Sequence, residues 1–170
     1  MDAAALRELQ KPLKTTYRES PEAANTPLHA VGRFEGDGIT TTVDTSAGPV
    51  RAGLHPATGG TGDDACSGDM LLQALVACAG VTLRSVATAT GVVVRGATLH
   101  AEGMFDARGT LGVSKEAPVG VTDVVITADL DADADDAALH RLAELTERYC
   151  VVAQSLLDPP RFVVRRAAAV

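Results

Sequence analysis

Residues 70–83, Met-Leu-Leu-Gln-Ala-Leu-Val-Ala-Cys-Ala-Gly-Val-Thr-Leu, are apolar on nearly every side when wound as a helix. Leu72, Val76, Ala79, Leu83 and Val86 form one stripe at helical spacing, and Leu71, Ala74, Leu75, Cys78 and Val81 form a second beside it. A helix without a polar face has to be surrounded by other protein, so this segment predicts a central helix that the rest of the chain wraps. The run falls short of the ~20 apolar residues that cross a bilayer and carries Gln73 and Thr82, so it reads as a core helix and not as a membrane span. Ser67 stands where an N-cap would, which places the start near Gly68.

Strands and two further helices flank it along the chain. Residues 3–10 predict a short helix stopped by Pro12, and the polar, proline-bearing stretch that follows makes 1–27 an arm and linker ahead of a single domain, 28–170. Residues 28–34, 39–44 and 49–54 are strand-length pieces separated by Gly36-Asp37-Gly38 and Ser46-Ala47-Gly48, the pattern of three antiparallel strands. Residues 56–64, with Gly59-Gly60-Thr61-Gly62, read as a flexible loop; no Lys-Ser or Lys-Thr pair follows to make a phosphate cradle. Residues 92–105 and 119–130 read as half-buried strands, the second with Val124, Ile126, Ala128 and Leu130 on one face. Leu139, Leu142, Leu145 and Tyr149 mark a helix over 135–149, and 162–166 is a last strand. The order β-β-β-α-β-β-α-β puts strands in runs between helices, which predicts an α+β fold of antiparallel sheets.

With 170 residues the chain suffices for one core without disulfide staples. Its 15 Lys and Arg against 22 Asp and Glu give a net charge of -7, with no basic stripe for nucleic acid or an anionic membrane. The opening Met1-Asp2-Ala3 is no cationic leader, and three widely spaced cysteines are no secreted disulfide framework, so the expected compartment is the reducing cytoplasm.

The thiols are the candidate chemistry. Cys78 lies mid-helix among Ala77, Ala79 and Gly80, small residues that leave room around sulfur; the alternative is an inert core cysteine. Cys150 follows the second helix and precedes a short helical turn, so its sulfur is expected at a helix N-terminus, where a thiolate is favoured and the pKa falls; here the alternative is plain packing. Cys66, twelve positions before Cys78 and thus about 18 Å away at helical rise, reads as structural. The scattered His29, His55, His100 and His140 offer no zinc spacing, so no metal is expected. Asp129, Asp131, Asp133 and Asp135 imitate the start of a calcium loop, but Ala134 replaces its glycine and His140 its bidentate glutamate; they read as a strand end and a helix cap.

The segment Cys66-Ser67-Gly68-Asp69-Met70-Leu71-Leu72-Gln73-Ala74-Leu75-Val76-Ala77-Cys78, followed by Glu147-Arg148-Tyr149-Cys150, resembles the OsmC/Ohr family of thiol-dependent hydroperoxide reductases. The resemblance implies an intertwined homodimer with strands wrapped around long central helices and active sites at the subunit interface. It implies that Cys78 attacks an organic hydroperoxide and becomes a sulfenic acid, and that Cys150 closes a disulfide on it. It implies no bound cofactor and an external dithiol reductant. The family's glutamate ten residues before the first cysteine falls at Gly68, which makes the adjacent Asp69 the candidate acidic partner. Its arginine near the first hairpin turn corresponds to Arg33, with Arg18 and Arg51 as alternatives. The second motif, usually Cys-Pro-Val-Ser, reads Cys150-Val151-Val152-Ala153.

Two functions remain in play. One is a hydroperoxide reductase using Cys78, Cys150, Asp69 and Arg33; the other is a non-catalytic dimer that senses redox state or binds a small apolar ligand.

Overall fold

The computed structural model describes residues 1–167; the end of the expected domain, 168–170, lies outside the described residues. Four helices, α1 (Ala3–Glu19), α2 (Ser67–Thr90), α3 (Ala107–Thr110) and α4 (Asp136–Tyr149), accompany seven strands. The strands are β1 (Val31–Arg33), β2 (Thr40–Thr45), β3 (Gly48–Gly53), β4 (Ala65–Cys66), β5 (Val94–Met104), β6 (Thr122–Ala132) and β7 (Arg161–Arg166). They form one sheet in the order β1-β2-β3-β4 and another in the order β5-β6-β7, an α+β architecture. The chain divides into two compact units: Leu28–Ala74 with Glu102–Val124, and Met1–Pro27 with Leu75–Ala101 and the segment from Val125 onward.

In the second of these units β6 supplies one wall of the core. Val125, Thr127 and Asp129 are half-buried while Ile126, Ala128 and Leu130 are buried, the two-residue period of a strand with one face inward. Against that inward face lie Leu83, Val86 and Ala87 of α2 and Leu139 and Leu142 of α4. The α4 helix starts where Asp135 accepts a hydrogen bond from the Ala138 N–H at 2.8 Å, so the last of the four alternating aspartates is the N-cap. The others are paired: Asp129 with Arg165, and Asp131 and Asp133 with Arg95.

Two features of this unit differ from the sequence expectation. The β7 strand runs parallel to β6 and not antiparallel, because the connection between them passes through α4, and a helical crossover returns a strand in the same direction. The α1 helix does not stop before Pro12 but continues to Glu19 with Pro12 inside it. The proline removes one N–H and crowds one carbonyl, a local loss, while Asp2 caps the start and the Ser20 N–H returns to Thr16 O at the end.

In the other unit β1, β2 and β3 form the expected antiparallel meander, with Gly32 opposite Val43 and Val43 opposite Val50. The tight link from Thr45 to Gly48 uses the positive φ of Gly48, 121°, which an L side chain rarely adopts. The loop after β3 is more ordered than expected. It contains a 3-10 turn at Pro56–Thr58, capped by the His55 side chain, and then packs Gly60 so tightly that an added Cβ would lie 1.7 Å from Leu54 O. The loop ends in β4, whose two residues pair in parallel with Ala52 and Gly53 of β3.

Candidate active site

The geometry begins with two helices that end in different ways. α2 carries Cys78 at mid-helix with Thr82 one turn on, so thiol and hydroxyl share a face. α4 terminates at Cys150, whose N–H still bonds to Thr146 O at 2.9 Å, after which the chain turns sharply: the Gln154 N–H reaches back to Cys150 O at 3.0 Å and a 3-10 turn covers Ala153–Ser155. That turn leaves the N–H groups of Val151, Val152 and Ala153 outside any helix ladder, available to sulfur.

Both sulfurs use them. Burial alone would raise the Cys78 thiol, but the Val152 N–H, the Cys150 thiol, the Thr82 hydroxyl and the Val151 N–H all favour its thiolate and together bring it below the ordinary value of 9.0. Cys150 moves the other way. It is 0% exposed, and burial pushes its thiol above 9.0. The N–H groups of Ala153 and Val152 pull it down, but its hydrogen bond to Cys78 and the nearby Cys78 charge add to the rise. The expectation of a lowered Cys150 pKa is therefore reversed: the turn after it is three residues long, too short for an aligned dipole, and desolvation wins. The result is one thiol prepared for ionisation and one kept protonated beside it, the arrangement suited to a nucleophile and a resolving partner.

Of the four candidate residues the structure joins two, Cys78 and Cys150. Arg33 lies on β1 in an ion pair with Asp44 of β2, and of its alternatives Arg51 pairs with Asp64 while Arg18 is in the last turn of α1. Asp69, in the first turn of α2, lines a cavity of about 250 Å³ with His55, Cys66, Gly68 and Phe105. The donors around Cys78 that sequence reasoning missed are Thr82 and two backbone amides. Thr82 was open to discovery from its four-residue spacing; the amides carry no sequence signal. Val151 is informative here, because a proline at that position, as in Cys-Pro-Val-Ser, would have no N–H to give.

Residues 60–165 match the OsmC-like protein family. The chain belongs to that family. No curated protein matches this OsmC-like chain in sequence. Solved structures share its fold. An OsmC-like protein of unknown function from Vibrio cholerae superposes with a TM-score of 0.68 at 14% identity, covering 83% of this chain and 100% of that one. An organic hydroperoxide resistance protein from Elizabethkingia anophelis gives a TM-score of 0.67 at 15% identity over 84% of this chain and 99% of that one. An organic hydroperoxide resistance protein OsmC from Legionella pneumophila gives 0.63 at 14% identity over 85% and 100%.

Proposed function

We propose that this OsmC-like protein is a thiol-dependent peroxidase that reduces organic hydroperoxides to alcohols. The observation that carries the reading is the opposite displacement of two contacting thiols, Cys78 toward thiolate and Cys150 toward thiol. Two proteins that share its fold are organic hydroperoxide resistance proteins, which supports the substrate class.

In this reaction the Cys78 thiolate attacks one oxygen of the hydroperoxide, the O–O bond breaks, and the leaving alkoxide takes a proton to become the alcohol. Cys78 is now a sulfenic acid. The Cys150 sulfur attacks it, the S–S bond forms, and the S–O bond breaks with release of water. An external dithiol, entering by thiol–disulfide exchange, restores both thiols and leaves as its own disulfide. The protein side holds no redox cofactor in this scheme. On this reading the protein works in a reducing cytoplasm, where the three free cysteines rest as thiols between turnovers. Ala77 and Val81 of α2 remain exposed on an otherwise apolar helix, Val81 by 73%, and a second copy of the chain covering that face makes the working unit a homodimer.

A second reading, a non-catalytic dimer that binds a small apolar ligand, draws on an open groove of about 850 Å³ lined by Phe34, Ile39, Val43, Leu54, Met70 and Leu71. The two are separated by following consumption of an alkyl hydroperoxide, and of hydrogen peroxide, with excess dithiol. The peroxidase reading expects saturable turnover that prefers the alkyl substrate, none in Cys78→Ser, and a single stoichiometric event in Cys150→Ser. Equal, slow consumption by all three proteins sinks it.

A further inference from the structure

Thr146 is 1% exposed, and among the described residues its Oγ1 is a buried side-chain polar atom without a hydrogen-bond partner. Buried hydroxyls are almost always paired, since one cut off from water and left alone weakens the fold; an orphan calls for a reason. Thr146 sits one helical turn before Cys150 on α4, and the two are tied by the backbone bond from the Cys150 N–H to Thr146 O. Side chains four apart on a helix share a face, and that of the later residue leans back over the earlier one. Both residues are fully buried, so neither the hydroxyl nor the thiol has water to turn to.

We propose that Thr146 is a positioning residue for the resolving step: its hydroxyl is a donor held in reserve for the Cys150 sulfur as that sulfur takes on negative charge. This rests on the reading of Cys78 and Cys150 as a peroxidatic and resolving pair. In the resting state Cys150 is a thiol beside Cys78, and the hydroxyl has no charge to stabilise. Once Cys78 carries the sulfenic oxygen, Cys150 loses its proton and attacks, the S–S bond forms, and the oxygen leaves Cys78 as water. At that moment rotation about the Thr146 Cα–Cβ bond turns the O–H toward the anionic sulfur, joining the N–H groups of Val152 and Ala153. A donor that is idle in the ground state and engaged as charge develops accelerates the step it serves.

The test separates the hydroxyl from the shape that carries it. Thr146→Val keeps the shape and loses the donor, while Thr146→Ser keeps the donor and loses a methyl group. Reduced proteins are mixed with one equivalent of an alkyl hydroperoxide and quenched over time. Intact mass then reports the sulfenic acid as a gain of one oxygen and the disulfide as a loss of two hydrogens. Thr146→Val is expected to form the sulfenic acid at the wild-type rate and to close the disulfide about tenfold more slowly, the scale of one lost hydrogen bond to a charged group. Its melting temperature should be at or above wild type, and Thr146→Ser should close within about twofold of wild type. Closure at the wild-type rate in Thr146→Val, or slowing in Thr146→Ser but not in Thr146→Val, overturns the proposal and leaves the pair's roles standing. If hydroperoxide oxidises no cysteine in the wild type, the peroxidase reading falls, and this proposal with it.

Discussion

The thiols of Cys78 and Cys150 act on each other and both feel the amide of Val152, yet one moves below the ordinary value and the other above it. The difference comes from what surrounds each. Cys78 is half-buried and collects two amides, a hydroxyl and a thiol, enough to outweigh its burial. Cys150 is fully buried, which by itself favours the thiol, and the charge of its partner adds to that.

Thr82 contributes through its hydroxyl, so Thr82→Val should leave the helix intact and weaken the Cys78 thiolate. The thiol should titrate at higher pH, and alkylation of Cys78 at neutral pH should slow by roughly three- to tenfold, the effect of one hydrogen bond to a charged group. Peptide-mapped iodoacetamide kinetics measure it; an unchanged rate would remove Thr82 from the site.

The pair also sets a pH dependence. A thiol whose folded pKa lies below its unfolded value of 9.0 contributes stability that is fully present above 9.0 and is lost as pH falls through the folded pKa. Cys78 is that case. Cys150, raised above 9.0, contributes stability that is present below 9.0 and is lost as pH rises through its folded pKa. Cys78→Ser should therefore lose more stability, relative to wild type, at pH values near and above 9.0 than at neutral pH, as read by urea denaturation at several pH values. The rate of Cys78 oxidation should rise with pH along a curve whose midpoint lies below 9.0.

Leu142 of α4 is 1% exposed in the core formed with α2 and β6. Leu142→Ala removes its buried methyl groups and leaves a cavity, so unfolding free energy should fall by about 2–5 kcal/mol in urea titrations. A loss below about 1 kcal/mol would mean that the site collapses or that the packing is looser than described.

The α2 helix was legible as one long apolar run, and α4 and β6 because each is periodic; Leu139 and Leu142 fall inward at helical spacing and Ile126, Ala128 and Leu130 at strand spacing. β4 was not, since two residues show no period, and its pairing is set by where the preceding loop leaves Ala65 and Cys66. The candidate pair Cys78 and Cys150 was legible as residues, but the direction of the Cys150 shift was not: burial and the contact with Cys78 are tertiary facts, and they override the local helix-end argument. Arg33 and Asp69 were chosen by position along the chain, which carries no signal of their partners in space: Arg33 pairs with Asp44 across the β1–β2 ladder, and Asp69 lines the cavity beside Cys66.

Gly60 shows the same limit for loops. Read as one of several flexible glycines, it is held against Leu54 O with no room for a Cβ. Gly60→Ala should displace the loop between β3 and β4 and speed amide exchange at Ala65 and Cys66, while exchange in α4 remains at wild-type rates. Wild-type protection at both amides would show that the loop yields without cost to the β3–β4 pairing.

The central claim is that Cys78 takes the oxygen and Cys150 removes it. Its most direct measurement is a peptide map of the reduced protein after one equivalent of an alkyl hydroperoxide, with Cys150→Ser alongside. The account predicts a Cys78–Cys150 disulfide in the wild type and a sulfenic acid on Cys78 in the variant. Oxidation spread over Cys66, Cys78 and Cys150 without a defined disulfide, at the rate of a free thiol, would contradict it.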